Sequence, residues 1–363
     1  MIRFFPLHII TLFFTLMVSF STLAVEVTDL YQASVEVPSQ SSQDRRRGIK
    51  QAMMDILIKV SGQKSIKDNT ILQQAMNQPD NYFLQYRYEN NQQALNLVVD
   101  FDQDKINQLF KQAQQPLWGS LRPQVLIWLI NEEKLARNII ASSSESVFAL
   151  RIKQLAKQRG LPVILPLMDL EEATNISTSE VWGRFAEPVM ESSSRYQPEK
   201  IVIIRISDHS LVDSIEAPSD CLVCQQQVVV DWSIIEDQQL FSQPYKGNDT
   251  NELLAQVVDD ITEHIYQQYA SSTSTNNEFY IDVNNINSLS QDVKLYEFLE
   301  SLSSIQEVML TQVKGQHRRF KLMVLGSKES LLASFKLSAQ LTQQIDPLAA
   351  NHVDDIPLFH WQE

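Results

Sequence analysis

The chain has little glycine for its length, and its glycines are dispersed. Only 8 of the 363 residues are glycine, and no two of them lie within three positions of each other. Loops that bind phosphate groups need clustered glycines, because only glycine lets the backbone approach the phosphates in strained conformations. The sequence therefore has neither a P-loop nor a dinucleotide-binding fingerprint. Two of the glycines, Gly62 and Gly160, follow helical patterns and are predicted to end them as left-handed caps.

Positive charge is also scarce. Lysine and arginine number 30 against 44 aspartates and glutamates, which gives a formal net charge of -14. So acidic a chain repels phosphate backbones and anionic lipid headgroups. We therefore expect no nucleic acid among its main partners and no membrane attachment through a basic patch. Apolar residues make up 44% of the chain, which fits a folded globular protein rather than a disordered one.

No second long apolar segment follows the first 24 residues, and those residues have the three regions of a secretory signal peptide. Arg3 supplies the positive charge, 9–20 is almost entirely apolar, and Ala24 places a small residue before Val25. We expect export and cleavage after Ala24, which leaves a mature chain with no stable membrane span. The alternative is an uncleaved anchor, because 4–23 is nearly long enough to cross a bilayer.

The mature length suggests two or three domains, and the first predicted unit, residues 25–115, is a small α+β domain. Apolar residues at helical spacing predict its main helix at 44–60. Residues 84–88 and 95–101 alternate apolar and polar side chains, which predicts a β-hairpin. The other predicted elements are a strand at 30–37 and helices at 69–76 and 104–114.

Residues 116–270 are predicted to form a central α/β domain. Three apolar runs are typical of parallel strands that are buried on both faces: 125–130, 161–167 and 201–206. Alternation over 228–234, followed by a short return strand, predicts an antiparallel and half-exposed end of the sheet. With a closing helix at 249–269, the segment is predicted to be an α/β sandwich with a mixed sheet.

The polar segment 271–277 is a predicted flexible linker, and the C-terminal unit 278–363 follows it. The order of elements in this unit predicts the βαββαβ arrangement of a ferredoxin-like domain. The predicted elements are strands at 279–286, 308–313, 320–325 and 357–361 and helices at 293–302 and 331–345. Because that fold hosts many unrelated functions, it predicts no activity by itself.

From Trp118 onward the chain resembles an exported bacterial family known as domain of unknown function 2066. The motifs that carry the resemblance are Trp118-Gly119, Arg122-Pro123, Val125-Leu126-Ile127-Trp128, Arg159-Gly160-Leu161-Pro162, Leu165-Pro166-Leu167-Met168-Asp169-Leu170-Glu171, Val181-Trp182-Gly183-Arg184-Phe185 and Ser194-Arg195-Tyr196. Upstream, Leu57-Ile58-Lys59-Val60-Ser61-Gly62 and Gln85-Tyr86-Arg87-Tyr88 also fit. The resemblance implies an exported bacterial protein, periplasmic in view of the leader, and it assigns no reaction.

In architecture, the predicted central unit is similar to the α/β domains of periplasmic assembly and activator proteins of the Tol, curli-secretion and cell-wall-synthase types. Those domains act as docking modules without catalytic residues. The similarity therefore favours interaction over catalysis, although it is an analogy of fold rather than a match of residues.

Cys221 and Cys224 are the only cysteines, and export carries them into an oxidising compartment. We predict a structural disulfide that holds the loop before the strand at Val228. A redox-active dithiol is the alternative, but a helix N-terminus normally lowers the pKa of such a thiol, and this pair lies in a predicted loop. A zinc site is disfavoured because two further ligands at suitable spacing are missing.

Charged and aromatic residues recur in the central motifs. The candidate residues for binding a ligand or partner are Arg122, Asp169, Trp182, Arg195 and Tyr196, accompanied by Glu171 and Arg184. Because ligands of open α/β sheets bind beyond the carboxyl ends of strands, we expect these residues to cluster at one edge of the sheet and to hold an acidic or glycan-like group. The structural alternative is that Asp169 caps the next helix, that the arginines pair with Asp169 or Glu171, and that Trp182 packs beneath them.

The sequence contains neither a Gly-x-Ser-x-Gly elbow nor a His-Glu-x-x-His motif, and its histidines are scattered singly. We predict no catalytic residue, no metal and no cofactor. The expected function is a non-catalytic periplasmic binding or scaffolding protein of the bacterial cell envelope, whose partner is an envelope protein that the sequence does not identify. The alternative is a periplasmic enzyme or ligand-binding protein that uses the central Arg/Asp/Trp cluster.

Overall fold

Three main β-sheets, each with its own hydrophobic core, organise the part of the chain that the computed structural model describes. That part comprises residues 25–91, 94–115, 117–134, 136–208, 227–236, 239–269, 277–302, 305–324, 328–338, 340–344 and 356–362. The fold is of the mixed α+β class, which confirms the prediction at that level.

The N-terminal unit is a three-stranded antiparallel sheet with a long helix on one face. Its elements are β1 (Val25–Glu26), β2 (Gln32–Glu36), α1 (Ser42–Ser61), α2 (Thr70–Met76), β3 (Phe83–Asn91), β4 (Ala94–Phe101) and α3 (Gln103–Gln112). The strand order is β2-β4-β3, and β3 with β4 forms the predicted hairpin. Met53 and Ile56 of α1 are completely buried against Leu97 and Val99 of β4, as the helical spacing of apolar residues predicts.

The ends of α1 follow from local chemistry. The side chain of Ser41 accepts a hydrogen bond from the N–H of Asp44 and so caps the first turn. Gly62 has a φ of 76° and donates its N–H to Ile58 O at 2.8 Å, so the predicted left-handed cap is confirmed. Gly160 ends a helix of the central unit in the same way, with a φ of 64°.

The central unit is built on a mixed sheet with the strand order β11-β10-β9-β6-β7, in which β8 also pairs with β6. Its elements are β5 (Leu121–Arg122), β6 (Val125–Glu133), β7 (Ala136–Ile139), α4 (Val147–Arg159), β8 (Val163–Ile164), α5 (Leu170–Asn175), α6 (Thr178–Gly183), α7 (Ala186–Ser193), β9 (Lys200–Asp208), β10 (Val228–Glu236), β11 (Gln239–Gly247) and α8 (Thr250–Tyr269). β6 runs parallel to β8 and β9, and β10 and β11 continue antiparallel. Helices α4 and α8 contribute to the core on one face, and residues of α6 and α7 to the core on the other.

One strand of this unit is much shorter than predicted. The apolar run 161–167 forms only the two-residue strand β8, which pairs with Val125 and Leu126 at the start of β6. Further along the same edge of β6, residues 130–133 pair with β7. After Ile164 the chain leaves the sheet, and the carbonyl of Pro166 accepts the N–H of Ser142 instead of a ladder partner.

The C-terminal unit is a five-stranded sheet with the order β13-β14-β12-β16-β15. Its elements are β12 (Asn277–Asn284), α9 (Leu289–Ser301), β13 (Ile305–Lys314), β14 (His317–Val324), α10 (Lys328–Lys336), β15 (Leu341–Gln344) and β16 (Leu358–Trp361). The predicted βαββαβ order must be corrected, because the helix expected at 331–345 ends at Lys336 and an additional strand, β15, follows it. β16 lies between β12 and β15 and is parallel to β12.

Candidate functional site

Arg122 is completely buried and donates all five of its N–H groups to backbone carbonyls. The acceptors are Gly119 O at 3.0 Å, Arg159 O at 2.9 Å, Gly160 O at 2.9 Å, Lys59 O at 2.7 Å and Trp118 O at 3.0 Å. The guanidinium carbon also lies 4.2 Å from the centre of the Trp118 ring. Arg122 therefore does not pair with Asp169 or Glu171, and that part of the structural alternative is wrong.

Three of the five carbonyls around Arg122 belong to the C-terminal ends of two helices. Lys59 is in the last turn of α1, and Arg159 with Gly160 ends α4. Carbonyls at a helix C-terminus lack partners within the helix and carry the negative end of its dipole, so they stabilise a cation without a carboxylate. Burial and the nearby charge of Arg159 nevertheless lower the pKa of Arg122 to about 9. Arg122 connects the N-terminal unit to the central unit.

Asp169, Arg195 and Tyr196 do come together, around Glu172. Asp169 is the N-cap of α5 and accepts a hydrogen bond from the N–H of Glu172 at 3.0 Å, as the structural alternative predicts. Its carboxylate lies 3.0 Å from Nη1 of Arg195. The N–H of Glu172 and the guanidinium of Arg195 hold the pKa of Asp169 below its ordinary value.

Glu172, which the sequence reasoning did not select, is the centre of this group. Its side chain is buried, accepts the Met168 N–H at 2.5 Å and accepts the hydroxyl of Tyr196. The hydroxyl of Tyr196 in turn accepts the N–H of Leu167 at 2.8 Å. Burial and the Glu172 carboxylate raise the pKa of Tyr196 to about 12. These bonds hold the turn that leads into α5.

Trp182 belongs to a third group, on the same face of the central sheet. Two guanidinium carbons lie close to the centre of its ring, that of Arg137 at 4.2 Å and that of Arg205 at 4.9 Å. Its backbone carbonyl accepts a hydrogen bond from Arg205 at 2.8 Å. Cation–π contacts of this kind fix the ring in place. Trp182 therefore packs against arginines, but not against Arg122 or Arg195 as expected.

Two further residues complete the third group and were missed from the sequence. Arg205 on β9 and Asp231 on β10 are directly opposite each other in the sheet, and their side chains form an ion pair at 2.9 Å. Arg184, in a left-handed conformation after α6, also pairs with Asp231. The signal was a single charge inside each of the runs 201–206 and 228–235, of opposite sign in the two runs, because buried charges need partners.

The structure therefore brings only part of the predicted cluster together. Asp169, Arg195 and Tyr196 share one group, while the polar contacts of Arg122 and Trp182 place them in two others. Arg122 precedes β6 and faces helix ends, whereas Trp182 lies over β9 and its neighbours. The motifs that carry the family resemblance therefore lie at different places, and each supports its own part of the fold.

Cys221 and Cys224 lie outside the described residues, so their predicted disulfide stays a prediction. In the described part of the chain, no three His, Cys, Asp or Glu side chains are grouped so that they could hold a metal ion. The described helices also include none that is both long enough and apolar enough to cross a membrane.

Residues 24–119 match the family described as "Domain of unknown function (DUF8605)". The match covers the N-terminal unit and ends three positions before Arg122. No curated protein and no solved structure was found to match the chain. The similarity thus links the N-terminal unit to an uncharacterised domain family.

Proposed function

We propose that the protein is a non-catalytic binding or scaffolding component of the bacterial cell envelope, exported to the periplasm, where it contacts another envelope protein. We also propose that the segment from Trp118 onward is related to domain of unknown function 2066. The proposal also includes removal of residues 1–24 as a signal peptide.

The observation that carries the proposal is the pairing of the central polar residues with one another and with the backbone. Arg122 donates all five of its N–H groups to backbone carbonyls, and Asp169 caps a helix and pairs with Arg195. Catalysis needs a nucleophile, acid or base that faces a place where substrate can bind. Residues committed to the fold in three separate groups support a structural role for these motifs, and they weigh against an enzyme built on the central Arg/Asp/Trp cluster.

A surface next to the third group supports protein binding. We call it the Trp182 surface and define it by Arg137, Trp182 and Phe185. The side chain of Arg137 is about two-fifths exposed, and Phe185 is 56% exposed. Tryptophan, arginine and other aromatic residues are enriched where protein interfaces gain most of their affinity. Trp182 is held in place by Arg205 from the sheet, so its position is fixed before a partner arrives.

The test has two parts. The mass of the protein recovered from the periplasm of a bacterium with two membranes should equal that of residues 25–363. Chemical crosslinking in that compartment, followed by affinity capture, should then recover an envelope protein. Capture should fall when Arg137 and Phe185 are both replaced by alanine, and it should persist when Arg46 and Ile71, exposed on the N-terminal unit, are replaced instead. Recovery of the full-length chain in the cytoplasm, or capture of no envelope protein, would overturn the proposal.

A further inference from the structure

A polar cleft of about 580 Å³ lies where the N-terminal unit meets α4 of the central unit. Its volume is in the range of about 300–1,000 Å³ that is usual for ligand-binding clefts. The residues that line it come from β2 and neighbouring strands, from α1, and from α4. Most of them are charged or amide side chains, and none is aromatic.

The free edge of β2 opens into this cleft. β2 pairs only with β4 among the described strands, and its flanking residues Tyr31 and Val37 both bond towards β4. Because successive residues of a strand direct their backbone groups to opposite sides, Gln32, Ser34 and Glu36 direct theirs away from β4. The carbonyl of Gln32 accordingly accepts a hydrogen bond from the Lys59 ammonium.

Ser34 and Glu36 have no such partner. Their backbone N–H and C=O groups make no hydrogen bond to other residues in the ranges that the structure describes. Both residues line the cleft. An unpaired strand edge of this kind is a template for a further strand.

The opposite wall of the cleft is cationic. Arg151 and Lys157 of α4 face it together with Gln154 and Gln158. The other walls carry carboxylates, among them Asp29, which pairs with Lys157 at 3.7 Å, so the cation of this wall without an ion-pair partner among the described residues is Arg151. Arg151 donates to Gln154 at 3.2 Å, but its Nε atom is buried and has no hydrogen-bond partner in the described part of the chain. A carboxylate is the natural partner of such a guanidinium, because it can accept two parallel hydrogen bonds.

We propose that the cleft binds an extended peptide segment of a partner protein, which pairs with the free edge of β2 and presents an acidic side chain to Arg151. The backbone of the segment bonds with Ser34 and Glu36, as in other complexes formed by strand addition. This inference names the kind of partner for the binding role proposed above and rests on that proposal.

Selection of a displayed library of random eight-residue peptides against the purified protein tests the inference. Enriched peptides should carry an acidic residue, and their affinity should fall at least about tenfold for Ser34→Pro, which removes one outward N–H. Ser34→Ala keeps that N–H and should bind as the wild type does. Proline is tolerated at this position of an edge strand because the N–H of Ser34 does not take part in the ladder with β4.

Two further measurements test the inference without relying on the folding of the Ser34→Pro variant. Methylation of one backbone nitrogen of an enriched peptide at a time should abolish binding at alternate positions to the unaltered protein. Arg151→Glu should weaken the same peptide by at least about tenfold, whereas Lys67→Glu, an equal change of charge on an exposed turn, should not. Enrichment of no peptide, or equal binding by Ser34→Pro, overturns the inference. If envelope capture persists in Ser34→Pro, the binding role stands and the strand edge is not its site.

Discussion

The guanidinium of Arg205 on β9 makes two parallel hydrogen bonds of 2.9 Å to the carboxylate of Asp231, its direct neighbour on β10. Two charged residues thus meet in the middle of these strands, each within a run of mostly apolar residues. Arg184 adds a second cation to the same carboxylate. In the described part of the chain, Asp231 is the only acidic residue that pairs with both Arg205 and Arg184.

Replacement of Asp231 by alanine should therefore be severe. It leaves two largely buried guanidinium groups without an anion, and removal of one partner of a buried pair lowers the free energy of unfolding by about 3–5 kcal/mol. Urea unfolding of the purified protein measures the change. Glu132→Ala, which removes a carboxylate 2.8 Å from the more exposed Arg137, should cost less than about 1 kcal/mol. Equal losses for the two variants would contradict this prediction.

Arg122→Ala should lower the free energy of unfolding by at least about 3 kcal/mol, because it leaves several buried carbonyls without a donor and opens a cavity. Arg122→Lys should be intermediate, since an ammonium keeps the charge but has three donors instead of five. Arg46→Ala, on the exposed side of α1, should stay within about 0.5 kcal/mol of the wild type. If Arg122→Lys is as stable as the wild type, the five-bond geometry is not what stabilises the junction.

The capping role of Asp169 predicts a smaller effect. Asp169→Ala removes the acceptor for the N–H of Glu172 and should lower the melting temperature by a few degrees. Asp169→Asn keeps an oxygen that can cap the helix, and should lower the melting temperature less, because the ion pair with Arg195 is largely exposed. A large loss in the asparagine variant, measured by thermal melting, would show that the charge matters more than the cap.

Tyr196 should titrate late. Its raised pKa of about 12 means that the folded state keeps the hydroxyl protonated above pH 10, where an unfolded tyrosine ionises. The associated stability is present below about pH 10 and is lost as the pH rises towards 12. In a pH titration followed by the ultraviolet absorbance of tyrosinate, Tyr196→Phe should show one fewer tyrosine that ionises near pH 12. In Glu172→Gln, where the acceptor charge is gone, the pKa of Tyr196 should fall towards its ordinary value.

The elements that could be predicted from sequence are those whose signals are local. The helix α1 combines apolar residues at helical spacing with a glycine just after its last turn, and both the spacing and the glycine can be read in the sequence. The strands β7 and β15 were missed, because 136–138 is exposed and polar and 341–344 continues a helical pattern. Their conformation depends on strands that are distant in the chain, and tertiary pairing outweighs local preference there.

The candidate site shows the same limit. That Asp169 caps a helix could be weighed from its own neighbours. That Arg122 binds the carbonyl of Lys59, 63 positions away, could not, because nothing in either segment specifies their meeting. The pairing of Arg205 with Asp231 lies between these cases, since a charge in the middle of each of two mostly apolar runs is a local signal that a comparison of motifs does not use.

Because Arg122 links the N-terminal unit to the central unit, the part of the chain that folds cooperatively should extend beyond the segment that matches the family. A polypeptide of residues 24–119 contains the whole match to the uncharacterised family, yet it lacks the side chain that satisfies the end of its own longest helix. It also lacks Ser120, whose carbonyl accepts the N–H of Val27, and the strand that pairs with β1. The N-terminal and central units should consequently melt in a single transition, and the excised segment should be less stable than the same residues within the intact chain.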